Sequence, residues 1–547
     1  MKLSSNTLKK SYAQFRSDLK TARGMWTLAA GLRAFFRDPV TLERAKEEIQ
    51  YALEHRAERF LDLARVHIYG KADSPYLKLL KEARCELGDL EQLVRMRGLE
   101  IGLRQLASEG VYFTSDEFKG KTHVVRGGRS FRVSPEDFER SGTPSGFTIQ
   151  SSGTTNRPVR SQSQLDYLSL RAFITAVFFS THDLFTYSHA MYDAILPGAG
   201  GINNLLVYAK LGIPVERWFS RQIPVNNWVE DKYHYLTTHL IVRMGKWFGP
   251  GFPTPEMTDI KDINRIVRWV LDENKNGKPC CITTAASNAA RIARVAWDTG
   301  ASLTGTKFIV SGEPFTEQKR ALIERVGARG TCRYVYGAGD LVGYGCANPS
   351  VEDDVHVDQT RIALVSHPAS LTEEEPAIHP LLLTSLHSSA TSRLLVNVEN
   401  GDYATLETRD CRCAMGDAGF NLHVKRIRSY EKFTSEGMNY YYGDLFELFE
   451  KVFPAEFGGG PGDYQLVEEE DGDGQTRLVL RVHPEVGELE EAKALERLRS
   501  ALADGSRGNR FMTGVWQNAG TFKIARKPPH ESGRGKILPL HISRGSK

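Results

Sequence analysis

The stretch TKFIVSGEPFTEQKRALIERVGARGTCRYVYGAGD, residues 306–340, constrains the fold more than any other part of the chain. An apolar run, 306–311, stops at Gly312, a helix-like run covers 315–327, and a second strand-like run, 332–336, ends in Tyr336 and Gly337. Strand, helix and strand within about thirty residues read as a parallel βαβ unit. The handedness of such crossovers puts both carboxyl ends on one edge of the sheet, where ligands of parallel sheets bind. Gly312-Glu313 and Tyr336-Gly337 are therefore expected to line a single crevice.

The flanking sequence changes texture three times. Residues 40–110 are rich in Leu, Ala, Glu, Lys and Arg at helical spacing, as in LERAKEEIQYALEHRAERFLDLARV. From about 145 short apolar runs end in Gly or Ser, each followed by a helix-like stretch. Residues 360–410 predict antiparallel strands at RIALVSHP, PLLLTSLHS and RLLVNVENGDYATL. YQLVEEE, a DGDG turn at 471–474, RLVLRV and the helix-like ELEEAKALERLRSALADG then predict a small α+β unit. The chain of 547 residues carries 71 basic and 67 acidic side chains, interleaved along its length, which argues against a nucleic-acid surface. Its seven cysteines are an odd number in a long chain and fit reduced thiols better than a disulfide framework. No window reaches the ~18 apolar residues of a membrane span, so a cytoplasmic protein is expected.

Just past the apolar stretch FTIQ lie Ser151, Ser152, Gly153, Thr154 and Thr155. A glycine flanked by hydroxyls offers backbone N–H and O–H donors to a polyanion, although such clusters more often mark plain surface loops. The spaced glycine, Lys and Ser/Thr of a Walker loop are missing. After this loop come, in order, SGEP (311–314), YGAGD (336–340), NGDY (400–403), IRSYEKFTSEG (427–437) and GRGK (533–536). That succession resembles the adenylate-forming enzymes, the acyl- and aryl-CoA synthetase superfamily, and most closely their phenylacetate–CoA ligase branch. The likeness spans roughly 75–540 and leaves the first seventy or so residues as a helical extension.

The resemblance implies an α/β fold. A large N-terminal domain (76–427), with mixed and parallel sheets flanked by helices, would follow the extension (1–75) and precede a small mobile α+β domain (428–547). It implies ATP-dependent activation of a carboxylic acid as an acyl-adenylate, then transfer to a thiol, CoA by preference. Ser151, Ser152, Gly153, Thr154 and Thr155 would cradle the β- and γ-phosphates. Gly312, Glu313 and Pro314 would form one wall of the adenine site, and Tyr336, followed by Gly337, would stack on the base. Asp340 stands where the family has a Mg²⁺-binding glutamate. Asp402 would bond the ribose hydroxyls, supported by Arg428 near the domain hinge, and Lys536 would stabilise charge as the acid attacks phosphorus. Read alone, Asn400-Gly401 is a hairpin-turn signal, and Lys536 a solvated charge in a basic tail.

Two departures fall side by side: Gly339 replaces a Ser or Thr hydroxyl donor, and Asp340 is one carbon shorter than Glu. They leave room for a nucleotide-binding regulator that no longer turns over. An acyl-protein synthetase that loads a protein or carrier thiol is a further alternative. Cys346, His356, Cys411 and Cys413 form a Cys-x9-His and a Cys-x-Cys pair, a candidate tetrahedral Zn²⁺ set of structural type. Some phenylacetate–CoA ligase relatives look similar there. Cys280, Cys281 and Cys332 read as core. The acid pocket is expected between the hydroxyl loop and SGEP, with LPGAGGINNLLVYAKLG (196–212) opening a helix from small residues. Trp218 and Phe179 are available to line it, for a hydrophobic or aryl acid.

Overall fold

A computed structural model of the chain describes residues 27–139, 146–150, 160–196, 198, 200–220, 228–336, 340–366, 380–389, 393–429, 432–435, 438–441, 445, 448–460, 462–503, 513–514, 516–530 and 540–542. Its organising element is a twelve-stranded sheet. In chain order the strands are β1 (Ser188–Tyr192), β2 (Val215–Ser220), β3 (Glu256–Met257), β4 (Cys280–Ala285), β5 (Lys307–Ser311) and β6 (Arg329–Tyr336). They continue as β7 (Asp340–Gly345), β8 (Val355–Val357), β9 (Ile362–Ser366), β10 (Pro380–Ser385), β11 (Val398–Thr408) and β12 (Leu422–Ser429).

The first six strands are parallel and lie in the order β3-β2-β1-β4-β5-β6. Strand order therefore reverses between β1 and β4, the kind of switch point at which doubly wound sheets bind ligands. The expected βαβ unit is β5, the helix Glu317–Arg325 and β6, with β6 three residues longer at its start than the sequence suggested. Beyond β6 the sheet turns antiparallel through β7, β8, β12, β11, β10 and β9. Of the predicted strand RLLVNVENGDYATL, Arg393 to Asn397 lie outside β11.

Buried apolar side chains form two cores, one on each face. One holds Ile282, Phe308, Val310 and Tyr334; the other holds Ile309, Leu341, Tyr344 and the helix α1 (Leu165–Thr181) with Phe178 and Phe179. Alternation along β5 divides Phe308 and Val310 from Ile309, as a two-residue period requires. Helix α2 (Gly200–Lys210) starts at the small-residue turn read from the sequence, and Trp218, wholly buried, sits so close that a Cβ on Gly201 would lie 2.8 Å from its ring. The helices before residue 75 are built into these cores: Leu28, Leu32, Phe35 and Ile49 join the second, Phe60, Leu61 and Ala64 the first.

A third core belongs to the small C-terminal unit. Hairpin β13 (Tyr464–Glu470) and β14 (Thr476–Val482) is flanked by β15 (Phe522–Arg526) and β16 (Leu540–Ile542), with helix Glu491–Ala503 packed on it through Leu498 and Leu502. Its hairpin tip rests on the large unit at the helices Ala286–Asp298 and Glu317–Arg325. Arg294 pairs with Asp473, Thr316 Oγ1 donates to Glu470 at 2.5 Å, Lys319 Nζ lies 3.5 Å from Glu470, and Gln475 Nε2 donates to Ser287 O at 3.4 Å. No helix of the described residues is long and apolar enough to cross a membrane.

His189 on β1 gives the second core a pH dependence. It is buried against the Phe179 ring, with centroids 5.2 Å apart, and its Nε2 contacts Leu184 O at 2.8 Å, so Nε2 carries the proton of the neutral ring. Burial pulls its pKa down to about 4, and the Leu184 carbonyl only partly counteracts this. The folded value lies below the unfolded value of about 6.5, so the stabilisation is complete above pH ~6.5 and is lost as pH falls towards 4. Up to about 3 kcal/mol should disappear over that interval. Urea unfolding at pH 7 and 4.5 checks this: His189→Gln should flatten the difference, and an unchanged difference removes His189 from it.

Candidate functional site

The parallel strands end in step. Tyr192 pairs with Thr284, Ala285 with Ser311 and Ser311 with Arg333, after which β6 runs on to Tyr336 paired with β7 alone. This carboxyl edge carries Gly312, Glu313, Pro314 and Tyr336 of the residues singled out in the sequence. Gly312 directly follows β5 with φ +85°, a conformation glycine adopts without strain. Glu313 turns back to helix α3 (Ala286–Asp298), where Ser287 donates to its carboxylate from Oγ at 2.6 Å and from N at 3.4 Å. A carboxylate at a helix N-terminus is favoured by the helix dipole. Pro314 O accepts Lys319 Nζ at 3.1 Å, and Lys319 is the buried ammonium that meets Glu470 of the small unit. The SGEP loop is thus braced by α3 on one side and by the docked hairpin on the other.

Tyr336 is half-buried against the first core and stands directly across the ladder from Asp340, the first residue of β7. The residue after Asp340 is held at both ends: Leu341 N–H donates to Tyr167 Oη at 2.8 Å, and Leu341 O accepts Arg361 Nη2 at 2.7 Å. Two residues before Tyr336, on the same face of β6, Tyr334 donates its hydroxyl to Asp402 Oδ2 at 3.0 Å. Asn400 Nδ2 bonds both of these oxygens, and its Oδ1 accepts the Asp402 N–H at 3.0 Å. Burial drives the Tyr334 hydroxyl pKa well up, and the Asp402 charge adds to the rise, so Tyr334 stays a donor.

Asn400-Gly401 is not a hairpin turn. Both residues lie inside β11, where Leu382 pairs with Glu399 and Pro380 with Tyr403, so extra residues bulge out on one strand. Gly401, at φ +78°, makes the bulge, which aims Asp402 at β6. Arg428 is placed on β12 opposite Tyr403. Ser151, Ser152, Gly153, Thr154 and Thr155, Gly337, Gly339 and Lys536 lie outside the described residues. Tyr334, which links Tyr336 to Asp402, went unrecognised in the sequence; its signal was the two-residue period shared with Tyr336.

Cys346, His356, Cys411 and Cys413 are all buried, and their ligand atoms lie within 4.8 Å of one another. His356 Nδ1 sits 2.6 Å from Phe420 O, which fixes the proton there and leaves the Nε2 lone pair towards Cys413 Sγ at 3.3 Å and Cys411 Sγ at 3.7 Å. Cys411 and Cys413 Sγ are 3.3 Å apart. Tetrahedral Zn²⁺ with bonds of about 2.0–2.3 Å separates neighbouring ligands by roughly 3.5–3.8 Å, close to this spacing. A hydrogen bond from Cys346 pulls the Cys413 thiol far down despite burial, and His356 pulls the same way; Cys346 is correspondingly pushed up. Arg409, 3.8 Å from Cys346 Sγ and paired with Asp354 at 2.5 Å, brings positive charge to the Cys346 and Cys411 sulfurs. The donor set fits Zn²⁺, and its Cys346 directly follows β7, the strand that Asp340 begins. Cys280, Cys281 and Cys332 are buried in the cores as expected, and Phe179 and Trp218 are wholly buried core residues.

No family model matches the chain, and no curated protein sequence matches it. Among solved structures it is similar to 2-hydroxyisobutyryl-CoA ligase in complex with 2-HIB-AMP and CoA in the thioesterification state: 14% identity over 93% of this chain and 92% of that one, TM-score 0.50. The same ligase in the postadenylation state with 2-HIB-AMP aligns over 92% and 90% at 14% identity and TM-score 0.42. An AMP-forming acyl-CoA synthetase/AMP-acid ligase II-like protein from Dyadobacter fermentans DSM 18053 aligns over 72% and 87% at 14% identity and TM-score 0.26. The first of these likenesses extends over nearly the whole of both chains and is one of fold.

Proposed function

We propose, from the adenylate-forming ligase fold that this chain has, that it activates a carboxylic acid with ATP and passes the acyl group to a thiol. One observation carries the reading. Asp402, buried and bonded to Tyr334, lies one pleat from Tyr336 and its cross-strand partner Asp340, at the carboxyl edge of six parallel strands that also presents Gly312 and Glu313. Segments up to ninety residues apart thus converge at the carboxyl ends of β5 and β6, the end of a parallel sheet at which ligands bind.

In this reading Tyr336 and Gly337 hold the base against the Gly312-Glu313-Pro314 wall, and Asp402, supported by Arg428, accepts from the ribose hydroxyls. Tyr334 and Asn400 orient that carboxylate, as a ribose-binding group requires. Ser151 to Thr155 hold the β- and γ-phosphates, and Asp340 is the oxygen ligand for Mg²⁺, which would neutralise phosphate charge. A carboxylate oxygen of the acid attacks the α-phosphorus, the bond to the bridging oxygen breaks, and pyrophosphate leaves. Lys536 supplies positive charge to that step. A thiolate, CoA by preference, then attacks the acyl carbon, and AMP departs with its electron pair. The zinc set is structural, because its four protein ligands leave no open position.

Acid-dependent exchange of labelled pyrophosphate into ATP tests the first half. Asp402→Asn should lower kcat/KM for ATP about 10- to 100-fold, the range of a lost charge-assisted hydrogen bond, with the acid KM little changed. An unchanged ATP dependence removes Asp402 from the site. Absence of exchange with every acid tried returns the regulator reading, and exchange without thioester on adding CoA turns the second half towards a protein or carrier thiol.

A further inference from the structure

Arg171 on α1 and Arg333 on β6 reach from opposite layers to one amide oxygen. Arg171 Nη2 and Arg333 Nη1 both donate to Asn204 Oδ1 on α2, the latter at 3.1 Å. The two residues are 4% and 5% exposed, and the Nε–H of each is buried without an acceptor. Among the described residues no carboxylate lies within ion-pairing distance of either. A guanidinium does not lose its proton in a protein, so two positive charges share one neutral acceptor. Burial disfavours the Arg333 charge; Tyr208 relieves this, Arg171 worsens it, and Tyr344 and Asp193 add smaller relief. Uncompensated buried charge is strongly destabilising, and the group missing from this arrangement is an anion.

Its position says which anion. Arg333 pairs with Ser311 at the carboxyl edge, three residues before Tyr336, or about 10 Å by strand rise. Arg171 lies one helical turn, about 6 Å, past Tyr167, whose hydroxyl holds Leu341 beside Asp340. The pair therefore lies on the α1–α2 side of the sheet, set back from the nucleotide edge by the length of a short acyl chain. Tyr208 and Thr283, hydroxyls 2.8 Å apart, stand beside it.

We propose that Arg171 and Arg333 form an anion subsite for the far end of the acid, so that the substrate is an α,ω-dicarboxylate in place of the expected hydrophobic acid. The assignment of the near carboxylate to activation rests on the adenylation reading. Arg333 spends Nη1 on Asn204 and keeps its Nε–Nη2 edge, the edge that engages a carboxylate side-on, while Arg171 spends Nη2 and keeps its Nε–H.

The test is equilibrium binding, by calorimetry on the full chain, of suberate against octanoate, acids of equal length that differ in the distal charge. Suberate should bind about 10- to 100-fold more tightly, and Arg333→Met should erase that preference while leaving octanoate binding intact. The same variant should melt no lower than the parent, because it removes an unpaired buried charge. If it does not fold, Arg171→Met and the variant-free comparison still decide. Equal binding of the two acids overturns the subsite, as does a preference that survives both substitutions. Pyrophosphate exchange with octanoate alone leaves adenylation standing while the subsite falls; suberate binding without any exchange does the reverse.

Discussion

The parent should hold one equivalent of zinc per chain, and Cys413→Ser should leave the purified protein with less than about a tenth of one. It should also lower the melting temperature by more than about 5 °C. The expectation rests on four buried ligand atoms within 4.8 Å and a histidine whose proton is fixed on the far nitrogen by Phe420 O. Folding free energy and metal binding are one quantity at such a site. The consequence is local in a specific way: Cys346 directly follows β7, His356 lies on β8, and Cys411 and Cys413 follow β11. Loss of metal therefore frees the end of β7 opposite Asp340. Elemental analysis and a melt with and without a strong chelator measure both effects, and equal, negligible zinc in parent and variant ends the assignment.

Asp358→Ala should cost about 3–5 kcal/mol, the range for stripping one partner from a buried ion pair. Asp358 is wholly buried and bonds Arg361, with Thr360 Oγ1 donating to the same carboxylate. Arg361, 2% exposed, passes its Nη2 to Leu341 O and lies over the Tyr167 ring at 5.1 Å. Removing the carboxylate strands a guanidinium beneath the residue that follows Asp340, so nucleotide affinity should fall with stability. Pairing the change with Arg361→Met should recover part of the loss, since two apolar side chains no longer leave a charge unpaired. Denaturant unfolding of the single and double variants decides this; a single variant within 1 kcal/mol of the parent shows that the pair contributes little.

The parallel half of the sheet was legible because its signals are local. Apolar runs of five or six residues ending at Gly312 and Gly337, with an amphipathic stretch between them, define β5, its helix and β6 without reference to distant chain. The β13–β14 hairpin was equally local, its turn falling at 471–474. What the sequence hid was long-range. Asn400-Gly401 has the composition of a tight turn, yet here tertiary pairing with β10 and β12 overrides it and uses the glycine for a bulge. The Arg171–Asn204–Arg333 cluster gathers residues up to 162 positions apart, and no periodicity marks a core arginine as unpaired. Cys346, His356, Cys411 and Cys413 could be suspected from residue type, but only the fold brings the Cys-x9-His and Cys-x-Cys pairs to one point. The partners of the SGEP and NGDY side chains, Ser287 for Glu313 and Tyr334 for Asp402, came from elements those motifs do not include.

The hairpin tip on α3 has an electrostatic consequence for any swing of the small lobe. Ser287 serves both bodies at once, its hydroxyl holding Glu313 and its carbonyl receiving Gln475, while the almost fully sequestered Lys319 ammonium bridges Pro314 to Glu470. Rotation of the lobe must hydrate Glu470 and leave Lys319 with a neutral carbonyl for company. The toll of undocking is thus levied on the SGEP turn itself, and the two bodies cannot separate without that turn registering it.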